Sequence, residues 1–340
     1  MFNPGKCNEC GICLSSCGYA DFNEEQARDQ IRNLKAGKSV SILTDCITCM
    51  ACNEFCPEKA NPYDLILSQQ EAHGIRMVPP EAVDMIEKTL GGQPSQVVKG
   101  DPDKPALCMC TMEQALPSGL LDSSLFEGMT LARGGDFFSR IVYLHTGMES
   151  VVKQHARDFI DSLTDVGCKE VVFVHADCYV LAAHKAEEYG IKVPFKPVHI
   201  VEYLLTQLKK RKTDIIPLNL RAAWQRPCIS RYTPEVEPLV DELLVLMGVT
   251  RVERKYDCKE ALCCGLGLRS TDVERKSKLA RLNFEDCTAH QAEALIFLCP
   301  GCYAALGKSC DAHGLASIFL TDLCRMAIGE LSYGSYPPGT

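Results

Sequence analysis

Twenty-one cysteines in 340 residues are the feature of this sequence that could do chemistry. Eight fall in two runs, Cys7-x2-Cys10-x2-Cys13-x3-Cys17 and Cys46-x2-Cys49-x2-Cys52-x3-Cys56-Pro57. Five more lie in the last third, at Cys228, the adjacent pair Cys263-Cys264, and Cys299-Pro-Gly-Cys302. A secreted disulfide scaffold is short and carries a leader, whereas this chain begins Met-Phe-Asn-Pro-Gly-Lys and reaches Cys7 at once. A reducing, cytoplasmic compartment is expected, with the thiols serving as metal ligands. In each run, three thiolates at x2 spacing wrap one iron–sulfur cubane and the fourth is handed to the other. Cluster one is therefore expected on Cys7, Cys10, Cys13 and Cys56, and cluster two on Cys46, Cys49, Cys52 and Cys17. A zinc site in each run is the alternative, but twin x2, x2, x3 runs match no common zinc pattern. The vicinal pair Cys263-Cys264 reaches disulfide geometry only with strain. Gly265 and Gly267 after it let the backbone approach a bulky inorganic group.

The elements around the first two runs are helical. Asp21-x-x-Glu24 reads as a capping box, Ala27, Ile31 and Leu34 form one helical stripe, and Gly37 stops it. Asn61 as N-cap, Pro62 at the first helical position and Gly74 as the stop frame a second helix with Tyr63, Ile66 and Leu67 inward. With its paired ligand runs, the stretch 1–95 resembles the α-helical ferredoxin domain of succinate dehydrogenase and heterodisulfide reductase iron–sulfur subunits, which implies two cubane [4Fe-4S] clusters. The later pattern, Cys228, then Cys263-Cys264-Gly265, then Cys299-x-x-Cys302-Tyr303, resembles the cysteine-rich CCG domain of heterodisulfide reductases. That resemblance implies that Cys228, Cys263, Cys264, Cys299 and Cys302 are the ligands of a non-cubane [4Fe-4S] cluster at which a disulfide is cleaved, and hence the catalytic residues.

A short helix from Pro80 to Leu90 ends at Gly91-Gly92, and the polar stretch through Pro105 reads as an interdomain linker. Beyond it, apolar segments at 106–110, 141–144, 171–174 and 197–201 read as strands, and Val151, Val152, His155, Phe159 and Leu163 recur at helical spacing. His155 on that stripe reads as a packed histidine. Strand–helix alternation implies parallel strands covered by helices. The stretch Cys178 to Gly190 aligns without gaps on Cys302 to Gly314, so two related lobes, 105–215 and 216–330, are expected. The fold class is therefore α+β and multidomain: a helical ferredoxin domain plus two pseudo-repeated α/β (CCG) lobes with short parallel sheets.

The first lobe departs from the five-cysteine pattern. It has His145-Thr146-Gly147 where the second has Cys263-Cys264-Gly265, and His175-x-x-Cys178 where the second has Cys299-x-x-Cys302. Cys108 or Cys110 with His145, His175 and Cys178 could hold zinc, or the histidines merely line the cleft between lobes. Cys168, Cys258, Cys287, Cys310 and Cys324 read as small buried hydrophobes. The net charge of −8 argues against a general nucleic-acid binder. Lys209-Lys210-Arg211-Lys212 reads as a solvated helix end. No apolar run reaches the ~20 residues that span a bilayer, so membrane association would come through a partner.

Cubanes held by four thiolates shuttle single electrons, whereas irregular ligation can offer an iron to a sulfur. The expected function is an iron–sulfur oxidoreductase subunit of a hetero-oligomer. It would pass electrons from a flavoprotein or iron–sulfur partner to the disulfide of a small molecule or small protein, with Arg231 or a lobe-one histidine as proton donor or anion anchor. The alternative is a non-catalytic electron-transfer subunit of an anaerobic FAD-dependent dehydrogenase.

Overall fold

The computed structural model describes residues 1–269 and 271–332. In the N-terminal part, short helices at Ile12–Ser15 and Ala51–Phe55 carry the two cysteine runs, and Glu24–Lys35 and Pro62–Ala72 pack beside them. The cap of Glu24–Lys35 is Asn23, two residues beyond the expected Asp21. Its Oδ1 accepts from the Gln26 N–H at 2.9 Å, and its own N–H donates to Gln26 Oε1 at 3.0 Å. Ala27, Ile31 and Leu34 are buried as expected. Asn61 precedes Pro62 in a left-handed conformation and makes no side-chain cap. The free N–H of Tyr63 instead donates to Asn53 Oδ1 at 2.9 Å, so a residue of the cluster-bearing helix caps its neighbour.

The stretch read as a linker contains a strand. β1 (Gln96–Val98) pairs antiparallel with β3 and edges a sheet made with β2 (Ala106–Cys110), β3 (Thr130–Arg133), β4 (Glu170–Phe173) and β5 (Lys196–His199), in the order β1-β3-β2-β4-β5. A second, wholly parallel sheet holds β6 (Leu220–Gln225), β7 (Val249–Arg251), β8 (Ala294–Phe297) and β9 (Ala316–Phe319), in the order β7-β6-β8-β9. Leaving β1 aside, both sheets run second-first-third-fourth. The turns that end the two aligned stretches also match, with Gly190 at φ 71° and Gly314 at φ 69°. The molecule is thus an α+β fold with two small, mostly parallel sheets.

The apolar run 141–144, expected as a strand, is a 3-10 helix, Ile141–Thr146. Arg140 and Gly147 bracket it at φ 57° and 80°, so the chain coils and buries Ile141, Tyr143 and Leu144 by curling. The place in the sheet goes to Thr130–Arg133, whose Thr-Leu-Ala-Arg sequence carries little apolar signal. His155 is half-buried on Glu149–Asp165.

The N-terminal part and both lobes contribute to one large apolar core, and a second, compact cluster joins residues 47–51 to residues 262–279. Polar contacts tie the same joints. Tyr63 Oη donates to the Leu144 carbonyl, and Tyr232 Oη donates to Asp64 Oδ1 at 2.7 Å. The fully buried Lys185 ammonium sits 2.7 Å from Asp64 and 2.8 Å from Glu188, linking the N-terminal part to the first lobe. Among the described residues no helix is long and apolar enough to cross a membrane.

Candidate functional site

All 21 cysteines are free thiols, and the structure gathers most of them into groups. Burial raises the Cys13 thiol above its ordinary value, and Cys56, Cys10 and Cys7 beside it raise it further. Burial likewise pushes Cys46 up to about 12, with Cys17 adding to it, and Cys52 feels burial and then Cys46, Cys13, Cys49 and Cys17. Crowded, buried thiols are hard to ionise together unless a cation lies among them, which is what an iron–sulfur core supplies. The two groups therefore suit two clusters, with Cys17 and Cys56 each standing with the other run's cysteines.

The C-terminal five sit where the ends of parallel strands converge, the usual position for a site in an α/β sheet. Cys228 follows β6, Cys299 and Cys302 follow β8, and Cys263-Cys264 arrive on the loop between β7 and the helix Val273–Ala289. Gly265 turns that loop at φ 80°, a left-handed value that an L side chain adopts only with strain. Gly147 holds the matching φ of 80° after His145-Thr146. Hydrogen bonds from Cys228 and Cys264 pull the Cys263 thiol well below its ordinary value, and one from Cys302 does the same for Cys299. The five thiols thus form a chain of neighbours, Cys228 to Cys263 to Cys264 to Cys302 to Cys299, without any disulfide, a soft donor set that fits an iron–sulfur cluster.

All five line one cavity of about 320 Å³ that lies between the lobes and also takes in His145 and His175. The cavity adjoins the second cysteine run. Cys49 and Cys263 share a compact apolar cluster with Ile47, Leu262 and Leu268, against which Tyr19 and Cys228 pack. Tyr19 Oη accepts from the Cys263 N–H at 3.0 Å, and His145 Nδ1 donates to the Thr48 carbonyl at 3.1 Å. A Cβ on Gly267 would stand 3.1 Å from Thr48 Oγ1, so these loops are closely fitted.

The first-lobe set divides. Cys110, His175 and Cys178 bring their ligand atoms within 4.8 Å of one another. Cys108 lies beside Cys178 but outside that group. His145 is not part of it: the 3-10 turn carries its ring to Thr48 and Cys263 instead. Asp177 Oδ2 stands 3.5 Å from His175 Nε2. Arg231 does not line the cavity, although Cys228 lies near it. The arginine is buried, donating to Glu54 at 2.8 Å and to the Lys259 and Ala261 carbonyls at 2.9 and 2.8 Å. Of the cysteines expected in the core, Cys287, Cys310 and Cys324 are buried, Cys168 is half-buried, and Cys258 is exposed beside Asp257.

The cysteine-rich (CCG) domain family matches residues 222–307, from β6 through the helix after Cys299. The chain is 26% identical over 171 residues to a subunit of the dihydromethanophenazine:CoB–CoM heterodisulfide reductase of Methanosarcina barkeri, covering 48% of this chain and 42% of that one. It is 22% identical over 359 residues to a subunit of the fumarate reductase (CoM/CoB) of Methanothermobacter marburgensis, covering 94% of this chain and 71% of that one. The chain carries a cysteine-rich (CCG) domain and is similar to heterodisulfide reductase subunits. It spans less than half the length of the Methanosarcina relative. In fold it is similar to a hypothetical protein from Helicobacter pylori, with a TM-score of 0.60 at 13% identity, covering 91% of this chain and 66% of that one.

Sequence reasoning about this heterodisulfide reductase-like chain passes over Tyr19, Thr48 and Glu54. Glu54 binds both guanidiniums beside Cys228, those of Arg226 and Arg231, at 2.8 Å. The adjacent Arg226-Pro227-Cys228 sequence signals that a carboxylate has to come from somewhere, but not from which segment. Tyr19 and Thr48 leave no signal, because their roles exist only where the two cysteine-rich parts meet.

Proposed function

We propose that this chain is an iron–sulfur oxidoreductase subunit that receives single electrons from a flavoprotein or iron–sulfur partner and delivers them to a disulfide in the cleft between its lobes. The balance is RSSR + 2 e⁻ + 2 H⁺ → 2 RSH. Cys7, Cys10, Cys13 and Cys56 would hold one cubane, Cys17, Cys46, Cys49 and Cys52 the second, and Cys228, Cys263, Cys264, Cys299 and Cys302 the non-cubane cluster. When bound, the cubanes supply one-electron transfer and the irregularly ligated cluster supplies an iron able to meet a sulfur.

The observation that carries this reading is that the five C-terminal thiols line an interlobe cavity, while two of them, Cys263 and Cys228, also pack in one apolar cluster with Cys49 of the second cysteine run. A buried relay would need only the second of these contacts. The protein's own groups have definable tasks there. Tyr19, Ile47 and Leu262 pack with Cys49 and Cys263 in one apolar cluster. The Thr48 carbonyl accepts from His145 Nδ1 and so fixes the orientation of the ring.

Anaerobically purified protein, oxidised after reduction, should show a new paramagnetic signal when a thiol is added and should reduce disulfides with a viologen donor. If no thiol perturbs any signal and no disulfide is consumed, the second reading takes its place: an electron-transfer subunit of an FAD-dependent dehydrogenase. The alignment to the fumarate reductase relative across most of the chain keeps a subunit role in a larger reductase open under either reading.

A further inference from the structure

The cavity at the five thiols is largely apolar apart from the sulfurs and a few polar side chains. Its walls come from three parts of the chain: Ile86 and Leu90 after the N-terminal part, Phe138 and Val142 from the first lobe, and Ile229 and Leu266 from the second. The ionisable side chains that line it, cysteines aside, are His145, His175 and Asp177. Among the described residues no lysine or arginine lines it.

Three arginines on segments that build the walls, Arg140, Arg226 and Arg231, are engaged elsewhere. Arg140 forks onto Glu87, with Nε at 3.1 and 3.0 Å from its two oxygens and Nη2 at 2.9 Å. Arg226 is held by Glu54 at 2.8 Å and Glu237 at 3.2 Å, and Arg231 by Glu54 at 2.8 Å. His175 lies against Asp177, so any positive charge on its ring is met by that carboxylate. A sulfonate, carboxylate or phosphate drawn into this cavity would lose its water and gain no cation in return, with Asp177 repelling it. Burial of an unpaired charge is strongly disfavoured.

We propose that the disulfide reduced here is compact and uncharged, with alkyl or other neutral substituents on both sulfurs. This rests on the reading of the cleft as a disulfide reductase site. At about 320 Å³ the space lies at the small end of ligand pockets and must take both the cluster and the substrate's sulfurs. Leu266, 57% exposed yet lining the cavity, marks its mouth, so an apolar substituent meets an apolar side chain on entry.

The test uses the anaerobic, cluster-loaded full chain with reduced methyl viologen as donor. Dipropyl disulfide is compared with 3,3′-dithiodipropionate, and propanethiol with 3-mercaptopropionate as perturbants of the paramagnetic signal. The neutral disulfide should have a kcat/KM more than about tenfold above that of the dianion, as expected for a site that leaves a buried charge unpaired. Ile86→Lys on the wall and Leu266→Lys at the exposed mouth should each narrow or reverse that ratio. Equal use of both disulfides, or preference for the dianion, overturns the inference while leaving the reductase reading intact. Consumption of neither, with neither thiol altering any signal, overturns the reductase reading and this inference with it. A ratio unmoved by both lysine variants shows that the walls do not select charge, and overturns it as well.

Discussion

The phenolic oxygen of Tyr19 accepts a hydrogen bond from the backbone N–H of Cys263 at 3.0 Å, joining a residue two positions after the first cysteine run to the vicinal pair of the second lobe. Burial holds the Tyr19 hydroxyl well above its ordinary value, so it stays a neutral phenol at this contact. Tyr19→Phe deletes the acceptor and leaves a buried N–H beside a cluster ligand unsatisfied, at a cost of about 1–3 kcal/mol. Iron content should stay unchanged. The paramagnetic signature of the C-terminal centre should shift and its reduction through the cubanes should slow, while the cubane signals keep their shape. An unchanged C-terminal signal would mean the hydrogen bond is only a fastening.

Glu54 anchors the N-terminal part to the second lobe through Arg226 and Arg231, both almost wholly buried. Glu54→Ala strands two buried guanidiniums and should destabilise the protein by about 3–5 kcal/mol, the usual result of removing one partner from a buried ion pair. Glu54→Gln, which keeps hydrogen-bond acceptance at one position, should cost less. Denaturant midpoints of the three proteins measure the order.

What can be read from the sequence depends on whether a role is local. The two cysteine runs, the helix stripe Ala27, Ile31 and Leu34, and the strands at 106–110 and 171–174 are set by spacing within a segment, and the structure has them in place. The 141–144 run reads as a strand and is not one, because its apolar residues are buried by a 3-10 turn, which shares a short strand's composition and differs only in the left-handed residues that bracket it. The choice of Cys110 over Cys108, and the turning of His145 towards Thr48, depend on how the lobes fold against each other, and no periodicity encodes that.

His199 caps the helix Ile200–Lys210, its Nδ1 accepting from the Val201 N–H at 3.2 Å, with its ring buried and edge-on to Tyr179 at 4.9 Å. Burial lowers its value from 6.5 to about 3 in the folded protein. Between those values the unfolded chain binds the extra proton, so stability falls as pH drops through 6.5 and goes on falling towards 3. At pH 5.5 the loss relative to neutral pH should be about 1.4 kcal/mol from this residue. Asparagine is also a good cap, so His199→Asn should flatten that part of the pH dependence in thermal unfolding at pH 7.5 and 5.5.

The Cys110, His175 and Cys178 group offers three soft or borderline ligands whose donor atoms lie within 4.8 Å of one another. If it holds zinc, about one equivalent should survive extensive dialysis and disappear in His175→Ala. His145→Ala, on a ring that faces Thr48, should leave the zinc in place. Full iron content with no zinc in the parent protein would leave His175 as a cavity wall residue only.

Cys264 is the ligand candidate whose loss should divide the chemistry most cleanly. Its neighbours are Cys263 and Cys302, whose thiols exchange hydrogen bonds with it, and it lines the interlobe cavity rather than the N-terminal contact. Cys263 is the member that meets Cys49 and Tyr19. Cys264→Ser should therefore remove or alter the C-terminal centre and abolish disulfide reduction, yet leave the cubanes reducible by dithionite with their signals intact. Cys52→Ser makes the converse test: it should lose one cubane and block electron entry while the five C-terminal thiols still assemble their centre. The shared apolar core sharpens the comparison, because Cys52 belongs to that core and a serine there tests whether the joint tolerates a missing cluster. If Cys52→Ser loses every cluster at once, the N-terminal part and the second lobe assemble as one unit rather than two, and the contact between Cys49 and Cys263 is where that dependence would be sought.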